Sequence, residues 1–585
     1  MIKKGLYQMH KPKVAVVAAA VALALSVGQT AQAVEINSEN WNGSWDTTVS
    51  LGTSIRVEER DNDRIGHGNL AELLNLPAID LTQGSWSHNG DDGNLNFDKN
   101  DPFSTVIKFT TELGLEHTSG FGFFVRGTGF YDFELNDSPE TRRKPITDAA
   151  LDEQGEDYRL LDAYIYKTWD FEETSMQARL GRQVISWGES TFIQHGLSEI
   201  NAVDVTKLRV PGSEIKEGLI PVNTLWASLD LTETLSLEAY AQFEWEHFRT
   251  DEPGTYFASQ DFTGETGTSI HLGFAVIPEN TPGTVARRLN DRDAKDDGQF
   301  GVKLAWLAED WNYTEFGFYY VNYHNKRPII SAFAHNGTEV TGFFEYLEDI
   351  QMYGFSFNTS TDSGYSIAGE LTYRQDEPLQ IDDVELLFAT LEPVGSVPSG
   401  TSQIPGGTPP GGEISGYRLF DTVQYQATIT KFWGPTWGAD QWTMLVEFGA
   451  NKILDFLDQD ELRFNAPGTN RSGNPARVTA EGVETNPFAD DFSWGYRLVS
   501  KWDYTDVVGG WNMSPRIVFQ HDVEGTTPGP ISNFVEDRKA VTLGLGLDYR
   551  SQWKADIGYS MFTGAGTANV MGDKDFVAAN ISYSF

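Results

Sequence analysis

The stretch Asp575-Phe576-Val577-Ala578-Ala579-Asn580-Ile581-Ser582-Tyr583-Ser584-Phe585 decides the fold. Val577, Ala579, Ile581, Tyr583 and Phe585 share one face, while Ala578, Asn580, Ser582 and Ser584 share the other. Period-two alternation of this kind marks a strand with one apolar face and one small, polar face. The apolar face needs a continuous apolar medium beside it. Lipid supplies one, so the strand is expected to close a barrel.

The same rhythm runs back to Trp45. Trp45, Thr47, Val49, Leu51, Thr53, Ile55 and Val57 share the first strand's apolar face. Further alternating runs follow at 107–116, 123–135, 158–171, 174–187, 221–231, 235–248, 298–307 and 313–325. The remainder are 350–359, 365–374, 421–433, 441–452, 494–505, 511–524, 538–550, 553–563 and 575–585. Short turns (118–120, 172–173, 232–234, 308–312, 360–364, 434–440, 506–510 and 551–552) alternate with long polar loops such as 249–297, 375–420 and 453–493. Runs of ten or so residues suit tilted membrane-crossing strands, and strict parity suits an even-numbered barrel. The expected fold is all-β: a transmembrane antiparallel β-barrel of about 18 strands with short periplasmic turns and long extracellular loops.

The N-terminus points to the same address. Lys3, Lys4, Lys11 and Lys13 precede an apolar run from Val14 to Val27, then Ala31-Gln32-Ala33. That is the pattern of a secretory signal peptide over residues 1–33, leaving 34–585 as the barrel in the outer membrane of a Gram-negative cell. The chain carries 84 acidic against 43 basic residues, a formal charge of −41, and no cysteine. Such a charge excludes nucleic acid as a partner. Without disulfides, an exported protein must rely on packing and ladder hydrogen bonds.

Alternation also assigns faces. Leu237, Ala239, Phe243 and Trp245, together with Val541, Leu543, Leu545 and Leu547, are expected to meet lipid. Candidate pore-lining residues are Arg126, Asp132, Glu238, Glu244, Glu246, Glu370, Arg374, Arg497, Arg516 and Asp522. Opposed charges in a lumen select polar solutes, or else pair with each other and fill a plugged barrel. The loop after Trp187 differs from the other loops because it carries Ile193, Leu197, Ile200, Val203, Val205, Leu208 and Val210. A loop with side chains to bury is expected to fold inward near 189–220 as a constriction or plug. Its candidate polar residues are Glu189, His195, Asp204, Lys207, Arg209, Glu214 and Lys216. Arg182 is a misfit, sharing the phase of Leu180. Either a bulge at Gly181 shifts the phase, or Arg182 snorkels to the interface.

Several spaced motifs carry a resemblance: GRQVISWGESTFIQ at 181–194, Lys216-Glu217-Gly218-Leu219-Ile220-Pro221-Val222, Asp251 to Phe257, Phe318-Tyr319-Tyr320, and Gly354 to Thr359. In these the chain resembles a proteobacterial domain-of-unknown-function family of predicted outer-membrane proteins. The resemblance implies a periplasmic lipoprotein-sorting-like partner and a tilt toward hydrophobic or amphipathic solutes. It supplies no catalytic or ligand residues. The ending Tyr583-Ser584-Phe585 also resembles the signal read by the barrel-assembly machinery. Outer-membrane lipid and lipopolysaccharide are the remaining expected partners.

Other features receive plainer readings. Asn89 to Asn94 and Asp291, Asp293, Asp296 and Asp297 offer oxygen ligands but lack EF-hand spacing, so they read as solvated acidic runs with no metal assigned. A short amphipathic helix is expected at Asp382 to Leu391, ahead of the Pro/Gly-rich run 393–412, and another at Leu70 to Leu76. His195, His324 and His521 stand without a serine-nucleophile motif, so the chain reads as neither an enzyme nor a cofactor carrier. The expected function is solute passage through the outer membrane. The alternative is a non-conducting barrel that docks the periplasmic partner.

Overall fold

The computed structural model describes residues 34–76, 82–137, 142–172, 174–279, 281, 283–474 and 481–585. The segment read as a signal peptide, 1–33, lies outside the described residues. Eighteen antiparallel strands close into one barrel. They are β1 (Trp41–Arg56), β2 (Pro102–His117), β3 (Phe121–Asp132), β4 (Glu156–Asp170), β5 (Ser175–Gln183) and β6 (Val222–Asp230). Next come β7 (Leu235–Gln242), β8 (Gln299–Ala308), β9 (Thr314–Tyr323), β10 (Ile350–Ser360), β11 (Tyr365–Gln380) and β12 (Tyr417–Phe432). The last are β13 (Gln441–Ile453), β14 (Phe492–Val508), β15 (Trp511–Glu524), β16 (Lys539–Tyr549), β17 (Trp553–Thr563) and β18 (Phe576–Ser584). Every run expected from alternation is a barrel strand, and each pairs with its sequence neighbours.

Closure comes from β18 against β1, in register from Thr48↔Ser584 to Arg56↔Phe576. Beyond it, Phe585 N donates to Thr47 O (2.9 Å) and Thr47 N to Phe585 O (2.8 Å). Where β18 stops, the residues Val34–Asn37 take over the same edge of β1, pairing with Asn42 to Trp45. The seam therefore leaves no long open edge of the kind that templates aggregation. Deleting Phe585 removes two ladder bonds and the ring stacked on Tyr583. It is expected to lower the yield of folded barrel, read as the compact band on unheated gels. An unchanged yield would show that the seam tolerates the loss.

The outward face is a continuous apolar belt. Leu51, Ile165, Leu180, Leu225, Phe318, Leu371, Ile429, Leu543, Ile557 and Ile581 are all exposed on it. In a soluble protein such a surface would aggregate; around a closed barrel it is the lipid-contacting surface. At the short-turn end Trp433, Trp437, Trp442 and Trp502 stack in series, with centroids 5.0–6.3 Å apart, as an interfacial aromatic girdle does. Arg182 keeps the phase of Leu180 even though Gly181 adopts φ 136°. Its guanidinium reaches Pro221 O (2.8 Å) and Glu244 (3.5 Å), so it snorkels and the phase does not shift.

The departures from expectation sit at the long-loop end. β7 ends at Gln242, so Glu244 and Glu246 are not strand residues and Trp245 does not meet lipid. Trp245 instead donates its indole N–H to Asn325 O (3.2 Å) and packs edge-on to Tyr346. An indole buried with a partner for its N–H is better placed there than on a strand. β3 likewise ends at Asp132, and Phe133 to Leu135 turn into a short helix. Asp132 Oδ1 caps that helix by accepting from Glu134 N (2.9 Å) and Leu135 N (3.2 Å). β11 and β12 run longer than expected, past a bulge between Arg374 and Glu377.

The long loops do not wave as polar tails. Segments Ser269–His271, Val285–Arg288, Thr341–Glu345, Ile329–Phe333 and Glu413–Ile414 form a separate five-stranded sheet. A loop core of Leu379, Ile381, Leu386, Ile404, Phe420, Leu462, Phe464 and Ile531 packs beside it. Ile404 comes from the Pro/Gly-rich run. The expected helices form as α1 (His67–Leu74) and α2 (Asp383–Leu391). Asp382 caps α2, accepting from Val384 N and Glu385 N (both 3.2 Å).

Candidate functional site

The lumen is where the inward-facing charges and the 184–221 loop meet. Glu370 on β11, Glu447 on β13 and Arg374 on β11 all face inward, and each is spent on the loop's backbone. Glu447 accepts from Thr191 N (2.6 Å), Phe192 N (2.7 Å) and Ile193 N (2.9 Å). Glu370 accepts from Glu189 N (2.5 Å) and Leu197 N (3.0 Å). Arg374, fully buried, donates to His195 O (2.7 Å), Gly196 O (2.8 Å) and Tyr323 OH (3.1 Å). Ionised side chains bonded to main-chain groups make strong, short contacts, and here they pin the irregular segment 189–196, which leads into the short 3₁₀ turn Leu197–Ile200.

The second half of the loop lies on the other wall. Pro211 packs on Gly52 of β1, where a Cβ would come within 2.6 Å of the proline ring. Lys108 of β2 donates to Gly212 O (2.8 Å) and pairs with Glu217 (2.5 Å). Asp204 caps the 205–209 turn and meets Arg159 (3.0 Å), and Lys207 lies 3.5 Å from Asp157. Arg209 stacks on Phe257, with Asp251 at 3.6 Å. Lys216 joins Glu112 (2.7 Å) and Glu214 (2.9 Å). His195 sits 2.7 Å from Glu377, and Glu199 is held well below the usual carboxylate range: burial opposes this, but Arg327 and His195 outweigh it. Residues 189–200 thus line one side of the lumen, along β9 to β13, and 201–218 line the other, along β1 to β4.

Most of the candidate lining charges are paired. Arg126 meets Asp162 (2.6 Å) and Glu112 (3.0 Å) at a bulge, where Leu161 and Asp162 together oppose Arg126. Glu238 accepts from Trp187 Nε1 (2.8 Å) and Lys303 (3.0 Å). Arg497 and Arg538 share Asp522 (2.7 and 2.6 Å). Asp132 is a helix cap at the rim, Glu244 binds Asn223 and Arg182, and Glu246 lies 3.4 Å from Arg249. One stretch of wall, β15 to β17, keeps its water. There Arg516 and Asp556 form a bidentate pair (2.6 and 2.8 Å) that stays about a third exposed, and the inward Gln520 and Lys554 are open. Gly544 lets that pair lie flat, since a Cβ there would stand 2.6 Å from Arg516 Cζ.

Glu447 was not foreseen as a lumen anchor. The sequence did carry a signal, because Glu447 is the one acidic residue in Gln441–Ile453 and stands opposite Arg497 in the neighbouring strand. Nothing in the sequence announced that its partner would be loop backbone.

The acidic run at 89–94 is folded, not solvated. Asp91 is fully buried and accepts from Gly66 N (2.7 Å) and Asn69 Nδ2 (3.0 Å). Asp92 and Asp261 bring carboxylate oxygens within 4.8 Å of it. Burial first, and the Asp92 charge second, push Asp91 up to about 8; burial pushes Asp92 to about 6 and Asp261 well up. A carboxyl with a raised folded pKa holds its proton more tightly folded than unfolded. Its contribution to stability therefore falls as pH rises from the unfolded value through the folded one. Between about pH 7 and about pH 8, above the ordinary histidine value of about 6.5 and up to the raised Asp91 value, the 57–101 loop is expected to loosen as pH rises. Hydrogen exchange of this loop, corrected for intrinsic rates, checks it; unchanged or greater protection at the higher pH would contradict it.

These features define a class: a membrane-spanning barrel of 18 strands whose lumen is narrowed by an inward-folded, charge-pinned loop. The chain belongs to the family described as "Protein of unknown function (DUF1302)", whose model matches residues 14–585. No curated protein matches the sequence significantly. Among solved structures, OccAB1 of Acinetobacter baumannii is similar at 10% identity and TM-score 0.40, covering 95% of this chain and 98% of that one. A BenF-like porin from Pseudomonas fluorescens Pf-5 is similar at 10% identity and TM-score 0.40, covering 93% and 98%. Likenesses this distant say nothing about which solute, if any, this barrel carries.

Proposed function

We propose that the protein is an outer-membrane channel for passive or facilitated passage of solutes. The path would follow the β15–β17 wall and pass the 189–200 segment as its constriction. The observation that carries this reading is the Arg516–Asp556 pair, about a third exposed, on a wall that the loop leaves uncovered. Barrels of 16 to 18 strands are wide enough for an aqueous path, and paired charges across it discriminate among solutes. The balanced charge favours polar or amphipathic solutes; hydrophobic compounds would need apolar surface as well. In this reading the short turns face the periplasm, the loop cap faces outward toward lipopolysaccharide, and Tyr583 and Phe585 present the strand to the assembly machinery.

The test is reconstitution in planar bilayers. Discrete conductance steps are expected, with Arg516→Ala shifting ion selectivity toward cations because Asp556 loses its counter-charge. A silent membrane would favour the rival reading, a non-conducting barrel that docks a periplasmic lipoprotein-like partner.

A further inference from the structure

The loop cap holds a second site, separate from the lumen: a mainly apolar cleft of about 100 Å³. One side is a face of the five-stranded sheet, carrying Ile270, Ala286, Ile330 and Ala332. Helix α2 lies across from it with Val384, Leu386 and Leu387, and aromatic rings from Trp86, Phe262 and Phe274 complete the lining. Segments of five different loops converge to build the cleft, so it is a product of the fold and not a gap beside one loop.

Several polar side chains interrupt the apolar lining, and two of them, His271 and Asp383, each carry one unsatisfied atom. His271 Nδ1 and Asp383 Oδ1 are buried atoms without a hydrogen-bond partner. Buried polar atoms are nearly always paired, so two orphans in one apolar cleft ask for a partner from outside the chain. Burial lowers His271, so its imidazole is neutral at neutral pH, and raises Asp383 to about 6, so its carboxyl is mostly an ionised acceptor there. A hydroxyl both donates and accepts, and so can serve either atom.

We propose that this cleft binds an apolar small molecule bearing a hydroxyl group, the body held among Ile270, Ala332, Val384 and Phe274 and the hydroxyl held by His271 and Asp383. As the first station of a solute on its way to the lumen, the cleft rests on the channel reading above; as a binding site it does not. A site built around a hydroxyl rejects the analogue that lacks it, because its own polar atoms are then left unpaired.

The test uses the full barrel in lipid nanodiscs with 1-pyrenemethanol and its hydroxyl-free isostere 1-ethylpyrene, read by energy transfer from tryptophan against protein-free discs. Saturable binding of the alcohol is expected at one per barrel, with the isostere at least about tenfold weaker. Leu387→Asp, on the half-exposed side of α2, should abolish binding of both, and Ala286→Trp should do the same by filling the cleft. His271→Leu should bring the two affinities together while keeping the pyrene body bound. Folding of each variant is checked by the compact gel band. Absence of saturable binding, equal affinities in the unsubstituted protein, or binding unmoved by Leu387→Asp would each overturn the proposal. Conductance of the unsubstituted protein is measured alongside. Conductance without binding sinks the cleft alone, and binding without conductance sinks the channel alone.

Discussion

Deleting residues 189–200 should raise the single-channel conductance of the reconstituted barrel several-fold. That segment is fixed to the inner wall by Glu447, Glu370 and Arg374 through seven contacts to its backbone. Once it is gone, those charges and the inward Gln424 and Gln426 return to water, and the cross-section beside β9 to β13 opens. A milder version is Glu447→Leu. It leaves three N–H groups without an acceptor, of which the buried one at Ile193 costs about 1–3 kcal/mol and the two part-buried ones less. The segment should then detach part of the time, giving a flickering current with an upper level near that of the deletion. An unchanged conductance in the deletion would place the constriction elsewhere, most simply at the 525–538 loop, where Asn533 donates to Gln194 O (3.0 Å).

Arg374→Ala should be among the most destabilising single substitutions in the protein. The guanidinium is fully buried and joins a strand, the tyrosine of β9 two strands away and two carbonyls of the inward loop. Removing one partner of a buried ionic cluster typically costs about 3–5 kcal/mol, because the groups left behind have neither a partner nor water. Glu377 and Glu199, both buried nearby, would be left with less positive charge. The measurement is the urea midpoint for loss of the compact gel band, with protease cleavage within 189–200 as a local readout. Arg374→Lys should recover only part of the loss, since an ammonium cannot present the planar fork that reaches two carbonyls and a phenol together. A midpoint within experimental scatter of the parent would mean that the loop is held by the carboxylates alone.

Alternation made the barrel legible from sequence for a simple reason. Lipid on one side and a polar lumen on the other impose a period of two on every strand, so Val541, Leu543 and Leu545 announce their face without help from any other residue. The rule fails where the chain leaves the membrane. Past Gln242 the run Phe243-Glu244-Trp245-Glu246 still alternates, yet Trp245 turns into the loop cap because Tyr346 and Asn325 O are there to receive it. The same holds at Asp132, where a side chain able to cap a helix turn ends the strand three residues early. The constriction loop showed its apolar residues in the sequence, but the carboxylates that hold it lie 181 and 256 residues away along the chain.

What the sequence determined by itself is the rhythm, namely that the stretch ending at Phe585 is a strand, that seventeen others share its period, and that the strands must close. Each of these follows from local chemistry repeated along the chain. Only the tertiary structure decided which charges face open water and which are consumed. Glu370 and Arg516 look alike in sequence, as inward-facing charged residues on barrel strands. One is covered by loop backbone, and the other lies on a wall smoothed by glycine. That difference comes from contacts between residues far apart in the chain, and the period of a strand carries no information about what will fold against it.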